Sequence, residues 1–218
     1  ENNGVYGLTK GQYSATAVKG SKKKKGPVNK QQPIDLCKLA INLGCTFVAR
    51  SFSGSRKQLT ALMRAAMSHK GFAFIDVISP CVTFNNNEES LQSYTYVKDN
   101  DVELHAYDYI PHRLPIEEVD IPEGQFNDIT LFDGSVLRLE TLGSDHDPND
   151  AMAALTALHT AEMENKHVTG LLYFDPTQAT ALEEQNLVQT PLSEVDDEIM
   201  RPSAATLETL NARFRGKA

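Results

Sequence analysis

The chain has 218 residues, of which 40% are apolar and 23% charged, as in a globular protein with one core, or one core and a smaller appendage. No run of 18 apolar residues occurs, so we expect no membrane span, and the formal net charge of −8 argues against nucleic acid as a partner. Three cysteines do not form a fully paired disulfide set, and their scarcity favours a reducing, cytoplasmic setting.

The first 33 residues are predicted to be mostly loop. Residues 1–5 have the form of a strand end, and the chain begins at Glu1 as if inside a motif. Residues 6–33 are rich in Gly, Lys, Ser, Thr and Pro and have no apolar period, which indicates one long loop. A loop of that length without periodicity is usually functional or disordered.

The next segment alternates helices and strands. A first helix, ending near Gly44, is predicted from the apolar stripe Leu36, Leu39, Ala40 and Leu43. A second helix, ending near Gly71, is predicted from Leu59, Leu62, Met63 and Ala66. Residues 45–50 are predicted to form a buried strand, and the apolar run 72–78 a strand covered on both faces. Helix, strand, helix and strand with short links predict a parallel α/β sheet.

The remainder of the chain gives weaker signals. Residues 127–140 resemble a hairpin whose turn is Asp133–Gly134. Residues 150–165 are predicted to form an Ala-rich helix, and residues 168–174 an apolar strand. Residues 179–218 are polar and acidic, and we expect them to form short helices or a disordered tail that packs on another subunit.

Two loops at predicted strand ends hold the residues best suited to chemistry, because ligands of parallel sheets bind at the carboxyl ends of strands. In NNGVYGLTKGQ (2–12), Asn3 and the carbonyl of Val5 are hard oxygen donors that suit Mg²⁺. An Asn-Gly turn without any metal gives the same string, and by composition alone it is the favoured interpretation.

In the second loop, SPCVTFN (79–85), Cys81 follows the predicted strand end, where side chains reach a site rather than a core. Cys37 and Cys45 match no common ligand spacing and are predicted to be core residues. His146 lies between two aspartates, and we assign it to a polar turn rather than to a metal site.

These strings, taken together and in this order, resemble the β subunit of the 2-oxoacid:ferredoxin oxidoreductases, most closely the 2-oxoglutarate type. The strings that carry the resemblance are NNGVYGLTKGQ at 2–12, FVAR at 47–50, IDVISPCVTFN at 75–85 and VTGLLY at 168–173. The resemblance implies an α/β, parallel-sheet, thiamine diphosphate-binding fold that is only partly present. Residues 1–115 would be the carboxyl-terminal part of that domain, and residues 116–218 a mixed carboxyl-terminal extension.

The same resemblance implies a set of cofactor ligands. It assigns the Asn3 side chain and the Val5 carbonyl to Mg²⁺, and contacts with thiamine diphosphate to Asn3, Val5, Tyr6, Gly7, Leu8 and Thr9. Cys81 matches the fourth cysteine ligand of a [4Fe–4S] cluster. The Gly-Asp-Gly half of the cofactor motif and the other three cluster cysteines are absent from this chain. It therefore looks like a carboxyl-terminal portion of a β subunit, expected to be inactive by itself.

The reaction implied is oxidative decarboxylation of a 2-oxoacid with coenzyme A to acyl-CoA, CO₂ and reduced ferredoxin, which is reversible. An α subunit would be the partner and would supply the glutamate that activates the cofactor. Leu8 would contact the substrate, while Lys10 would pair with a distal carboxylate or be a solvated loop lysine. The run Lys22–Lys25 is predicted to be either the solvated tip of a loop or a positively charged patch that attracts ferredoxin or the phosphates of coenzyme A. A pyruvate- or branched-chain-specific paralogue and a non-catalytic scaffold subunit are the alternatives.

Overall fold

The computed structural model describes most of the chain, namely residues 1–6, 12–21, 28–83, 86, 88, 90–111, 126–130, 134, 136–141, 146–188 and 190–215. The chain divides into two compact units, residues 1–180 and residues 181–218. Within the described ranges, no helix has the length and apolar character needed to cross a bilayer.

The elements alternate as an α/β protein should, which confirms the predicted class. The helices are α1 (Leu36–Asn42), α2 (Arg56–Ser68), α3 (Tyr94–Asn100), α4 (Ala151–Met163), α5 (Ala181–Glu184), α6 (Asp197–Met200) and α7 (Ala204–Arg215). The strands are β1 (Phe47–Phe52), β2 (Ala73–Ile78), β3 (Asp101–Glu103), β4 (His105–Ile110), β5 (Phe126–Thr130), β6 (Val136–Thr141) and β7 (His167–Phe174).

The main sheet has the strand order β2-β1-β7-β3. β1 and β2 are parallel, with Phe47 opposite Ala73, as the sequence pattern predicts. β7 runs antiparallel to β1 and parallel to β3, so the sheet is mixed rather than purely parallel. The crossover helix α2 makes β1 and β2 parallel, whereas no single crossover helix joins β1 to β7, so the pattern of residues 36–78 does not set the direction of β7.

A second, antiparallel sheet has the order β4-β6-β5. Its β5 and β6 form the hairpin predicted for residues 127–140, and Gly134 in the connection has a φ of 79°. Asp133 of the predicted turn lies outside the described residues. The hydroxyls of Ser68 and Tyr109 are 2.6 Å apart, which ties β4 to the end of α2.

The main sheet has a core cluster on each face because neighbouring residues of β1 point in opposite directions. Phe47 and Ala49 pack with α2, whereas Val48 packs with α1 and α4. β1 is buried along its whole length. Full burial contributes roughly 1.5–3 kcal/mol for a side chain the size of Phe47 or Val48, so both faces of β1 stabilise the first unit.

The buried face of α1 differs from the predicted stripe. Leu39 and Leu43 are 45% and 72% exposed, while the buried residues are Cys37, Ala40 and Ile41. The carboxylate of Asp35 caps the helix and pairs with β1, which fixes the rotation of α1 on the sheet. The predicted core positions of Cys37 and Cys45 are confirmed, because both are almost fully buried.

Two smaller differences concern the strands, and the tail contains the expected short helices. The first strand spans residues 47–52 instead of 45–50. β2 is mostly half-buried and not covered on both faces, because it lies at the edge of the described sheet. Residues 181–215 contain the predicted short helices together with a 3₁₀ turn at Leu192–Glu194, and none of their described side chains is buried. The domain boundary near residue 115 stays a prediction.

Candidate functional site

The amino-terminal residues lie beside the carboxyl end of β2. The Asn2 N–H donates to the Val77 carbonyl at 2.8 Å, and the Ser79 N–H donates to the Asn2 carbonyl at 2.9 Å. The next carbonyl along, that of Asn3, accepts from the Cys81 N–H at 3.5 Å. The two loops that the sequence analysis singled out therefore meet at one edge of the sheet.

Residues 2–5 form a double turn, which we call the asparagine turn. The Asn2 Oδ1 accepts from the Gly4 N–H at 3.3 Å, and the Asn3 Oδ1 accepts from the Val5 N–H at 2.9 Å. Gly4 has a φ of 64°, a left-handed conformation that glycine adopts without strain. The Asn-Gly turn expected from composition is thus present at the position predicted for the metal ligands.

The asparagine turn and the Mg²⁺ assignment are compatible. An amide oxygen has two lone pairs, so an oxygen engaged in such a turn is able to coordinate a cation as well. The Asn3 and Val5 oxygens are neutral and hard, which suits Mg²⁺ that keeps water or phosphate oxygens as its other ligands. In the part of the chain that the structure describes, no three His, Cys, Asp or Glu residues are grouped to hold a metal.

The remaining residues predicted to contact cofactor or substrate follow the asparagine turn. Tyr6 is 67% exposed. Gly7, Leu8, Thr9 and Lys10 lie outside the described residues, as does the run Lys22–Lys25. Their assignments stay predictions.

The three cysteines have different environments. Cys81 is half-buried at the carboxyl end of β2, beside the asparagine turn. Burial raises the pKa of the Cys37 thiol, whose Sγ donates to the Ala49 carbonyl, and burial also raises the pKa of Cys45. Metal ligation requires thiolates, so neither of these two fits a cluster. The assignment of Cys81 as a cluster ligand stays a prediction, and one thiolate cannot hold a [4Fe–4S] cluster alone.

A buried ion-pair cluster lies on the face of the sheet that carries α1, and the sequence analysis missed it. The Arg50 Nε donates to the Asp76 Oδ2 at 3.0 Å, and the Arg50 Nη2 donates to the Asp35 Oδ1 at 2.9 Å. Burial alone would raise the pKa of Asp35, but the adjacent guanidinium holds it below its usual value. The available signal was one charged residue inside each of two apolar strands, since buried charges need partners.

A cavity of about 350 Å³ opens above this cluster. The residues that line it from three separate loops and three strands include Asn2, Thr16, Arg50, Asp76, Gln92 and His167. Residues far apart in the sequence therefore converge next to the asparagine turn.

Two histidines lie close together in the first unit. The His146 Nε2 is 2.8 Å from the Leu172 carbonyl, and its ring centroid is 5.8 Å from that of His105. Burial lowers the pKa of both, that of His105 to about 4. Residues 146–150 form the polar turn expected there, and the described residues add no third ligand for a metal.

Comparison with known families and proteins identifies relatives for part of the chain. Residues 1–77 match the family described as thiamine pyrophosphate enzyme, C-terminal TPP binding domain. Subunit beta of 2-oxoacid:ferredoxin oxidoreductase 1 from Aeropyrum pernix is 51% identical over 86 residues, which are 39% of this chain and 27% of that protein.

Two further relatives carry a more specific name. The 2-oxoglutarate synthase subunit KorB of Methanocaldococcus jannaschii is 37% identical over 108 residues, or 47% of this chain and 40% of that protein. The subunit of the same name from Archaeoglobus fulgidus is 31% identical over 137 residues, or 62% of this chain and 46% of that protein. The chain thus spans less than half the length of these relatives.

A solved structure extends the similarity to nearly the whole chain. It is the 2-oxoglutarate:ferredoxin oxidoreductase from Magnetococcus marinus, with 2-oxoglutarate, coenzyme A and succinyl-CoA bound. The TM-score is 0.57 at 25% sequence identity, covering 97% of this chain and 55% of that one. The mixed α/β arrangement described above is therefore also found in a solved oxidoreductase.

Proposed function

This chain is a relative of the β subunits of the 2-oxoacid:ferredoxin oxidoreductases, and we propose that it performs the thiamine diphosphate-binding role of such a subunit. The observation that carries the proposal is the position of the asparagine turn. Its Asn3 carbonyl lies 3.5 Å from the Cys81 N–H, so the residues assigned to Mg²⁺ and to the iron–sulfur cluster share one sheet edge. Residues 1–77, which match the cofactor-binding family, include this turn and most of β2.

The proposed reaction is oxidative decarboxylation of a 2-oxoacid with coenzyme A, in which electrons pass to ferredoxin. Bound thiamine diphosphate would supply the electron sink that decarboxylation of a 2-oxoacid requires. An α subunit would complete the enzyme, and the setting would be cytoplasmic. The names of the relatives, which are subunits of such oxidoreductases, support this assignment.

In this proposal the chain's own residues bind and orient the cofactor. The Asn3 Oδ1 and the Val5 carbonyl would hold Mg²⁺, and the cation would supply positive charge for binding the diphosphate. Cys81 would be one ligand of a [4Fe–4S] cluster whose other thiolates come from outside this chain. Two neutral oxygens bind Mg²⁺ weakly without a carboxylate, so we expect the chain alone to bind thiamine diphosphate poorly and to show no turnover.

The substrate we favour is 2-oxoglutarate. Two of the relatives are named 2-oxoglutarate synthase subunits, and the solved structure contains 2-oxoglutarate. Lys10 would neutralise the distal carboxylate of this substrate, a group that is costly to bury without a partner.

The test is substrate-dependent electron transfer by the assembled enzyme. With 2-oxoglutarate, coenzyme A and ferredoxin, Asn3→Ala should raise the thiamine diphosphate concentration needed for half-maximal rate by at least ~10-fold, since one cation ligand is lost. Asn42→Ala, at an exposed position in α1, is the matched control and should behave as the wild type. An Asn3→Ala enzyme with an unchanged cofactor requirement would contradict the proposed site.

A further inference from the structure

We propose that Thr16 is a positioning residue, which holds the asparagine turn in the shape that the cofactor needs. This inference rests on the proposed function, because it concerns the same site. Thr16 lies 14 residues from Asn2, in the long loop, and has no assigned role. Its hydroxyl donates to the Asn2 Oδ1 at 2.8 Å.

The asparagine turn needs a support of this kind. Its first two residues are fixed by backbone hydrogen bonds to the end of β2. Gly4 and Val5 extend past this anchor, where the Gly4 N–H donates to the Asn2 side chain and the Val5 N–H donates to the Asn3 side chain. The same Asn2 Oδ1 accepts from Thr16, so the Thr16 hydroxyl favours the Asn2 rotamer that closes the first half of the turn.

The direction of the hydrogen bonds is fixed by chemistry. A threonine hydroxyl has one hydrogen, and in Thr16 it is donated to the amide oxygen of Asn2. The Ser14 Oγ lies 2.9 Å from the Thr16 Oγ1 and must therefore be the donor of that pair. The result is a directed chain from Ser14 to Thr16 to Asn2, in which each bond strengthens the next.

Thr16 is itself well anchored. The turn that contains it is closed by the Ala17 N–H donating to the Ser14 carbonyl at 3.0 Å. The Ala15 carbonyl accepts from the Ile34 N–H at 2.8 Å, which ties the turn to the segment before α1. The Asn29 side chain donates to the Ala17 carbonyl at 3.0 Å. A hydroxyl on such a fixed turn is able to impose a geometry on the asparagine turn.

Removal of the hydroxyl should loosen the turn without removing a cofactor ligand. The Thr16→Val substitution keeps the shape of the side chain and loses the donor. One hydrogen bond is worth about 0.5–1.5 kcal/mol, so the Kd for thiamine diphosphate at fixed Mg²⁺ should rise about 2- to 12-fold. The kcat at saturating cofactor should change little, because bound cofactor restores the turn. Thr16→Ser, which keeps the hydroxyl, should restore wild-type affinity.

The experiment is calorimetric titration of the assembled apo-enzyme with thiamine diphosphate and Mg²⁺. Thr60→Val is the matched control, since the Thr60 hydroxyl is exposed and bonds back to the Arg56 carbonyl within α2. A double-mutant cycle removes the partner: in an Asn2→Ala background, Thr16→Val should have no further effect on the Kd. This cycle tests the pair even if Thr16→Val lowers the melting temperature of the apo-enzyme.

The outcomes separate the two proposals. If the wild-type enzyme binds no thiamine diphosphate, the proposed function fails. If the wild type binds it and Thr16→Val binds equally well, the function stands and the positioning role of Thr16 is overturned. An equal effect of Thr16→Val with and without the Asn2→Ala substitution would also overturn it, because the hydroxyl would then act through another contact.

Discussion

Arg50 and Asp76 are direct partners across the parallel strands β1 and β2, and their side chains form a buried ion pair of 3.0 Å. Arg50 also reaches Asp35, the residue that caps α1. A single guanidinium thus joins two strands and a helix on one face of the sheet. Its planar fork suits two carboxylates at once, which a lysine ammonium does not match.

Loss of the Arg50 side chain should therefore be costly. Arg50→Leu would leave two carboxylates buried without a cation, and we expect the free energy of unfolding to fall by about 3–5 kcal/mol. Urea denaturation of the purified protein, followed by circular dichroism, measures this change. Arg64→Leu, at an exposed position of α2, is the control and should change little. A midpoint for Arg50→Leu that equals the control would contradict the structural role of the ion pair.

The burial of Asp101 should make the stability of the folded state depend on pH. Burial raises its pKa to about 6, and the Glu103 charge adds to this, while the Thr169 hydroxyl acts in the opposite direction. The native pKa thus exceeds the unfolded value of roughly 3.9, so the native state binds more protons. The stability that Asp101 contributes is fully present below about pH 4 and is lost as the pH rises through about 6.

The substitution Asp101→Asn should remove this loss, because the amide stays neutral and still accepts from Thr169. The gain in the free energy of unfolding of the variant over the wild type should be larger at about pH 7.5 than at about pH 4.5. Urea denaturation midpoints at the two pH values measure this gain. Asp99→Asn, two residues earlier and exposed, should show no such difference. Parallel pH profiles for wild type and Asp101→Asn would disprove the raised pKa.

Substrate choice should depend on Lys10. Removing one partner of a buried charge pair typically costs about 2–5 kcal/mol, so Lys10→Ala should lower kcat/KM for 2-oxoglutarate far more than for pyruvate. Leu8→Asn should also shift substrate preference from 2-oxoglutarate towards pyruvate, because it makes the pocket polar near a short substrate. Kinetics of the assembled enzyme with both acids, with Lys30→Ala as control, measure this. Equal losses for both acids would mean that Lys10 supports the loop or the cofactor.

Cluster content should depend on Cys81. Cys81→Ala in the assembled enzyme should lose or destabilise the [4Fe–4S] cluster, because one of its four thiolates is removed. Cys37→Ala and Cys45→Ala should retain the cluster, because both side chains are buried in the core next to α1. Iron analysis and the visible absorption of the cluster measure the outcome. Normal iron content in the Cys81 variant would rule out the ligand assignment.

The strands and the site edge could be predicted because their signals are local. The apolar strings around residues 47–50 and 75–78 indicate buried strands, and the short helical link between them requires parallel pairing. Because ligands of parallel sheets bind at the carboxyl ends of strands, the sequence predicts that Asn3 and Cys81 lie at the same edge of the sheet, even though their contacts are not known from the sequence.

Other features depend on contacts that no local pattern encodes. In the seven-residue helix α1, apolar residues occur on two overlapping stripes, and the pairing of Asp35 with Arg50 decides which one is buried. The hydrogen bond from Thr16 to Asn2 crosses a loop without periodicity. The antiparallel direction of β7 is set by its pairing with β1, a strand that lies far away in the sequence, in the amino-terminal half of the chain.

The late arrival of β7 matters during synthesis on the ribosome. β1 has β2 on one side, and its other side is completed only by β7. Phe47 pairs with Phe174, so the hydrogen-bonding edge of a fully buried strand stays open until residue 174 has left the exit tunnel. Contacts so distant along the chain form slowly, and open apolar edges attract other chains. We therefore expect one hydrogen-bonding edge of β1 to stay unpaired in the nascent protein throughout the synthesis of the segment between residues 53 and 166.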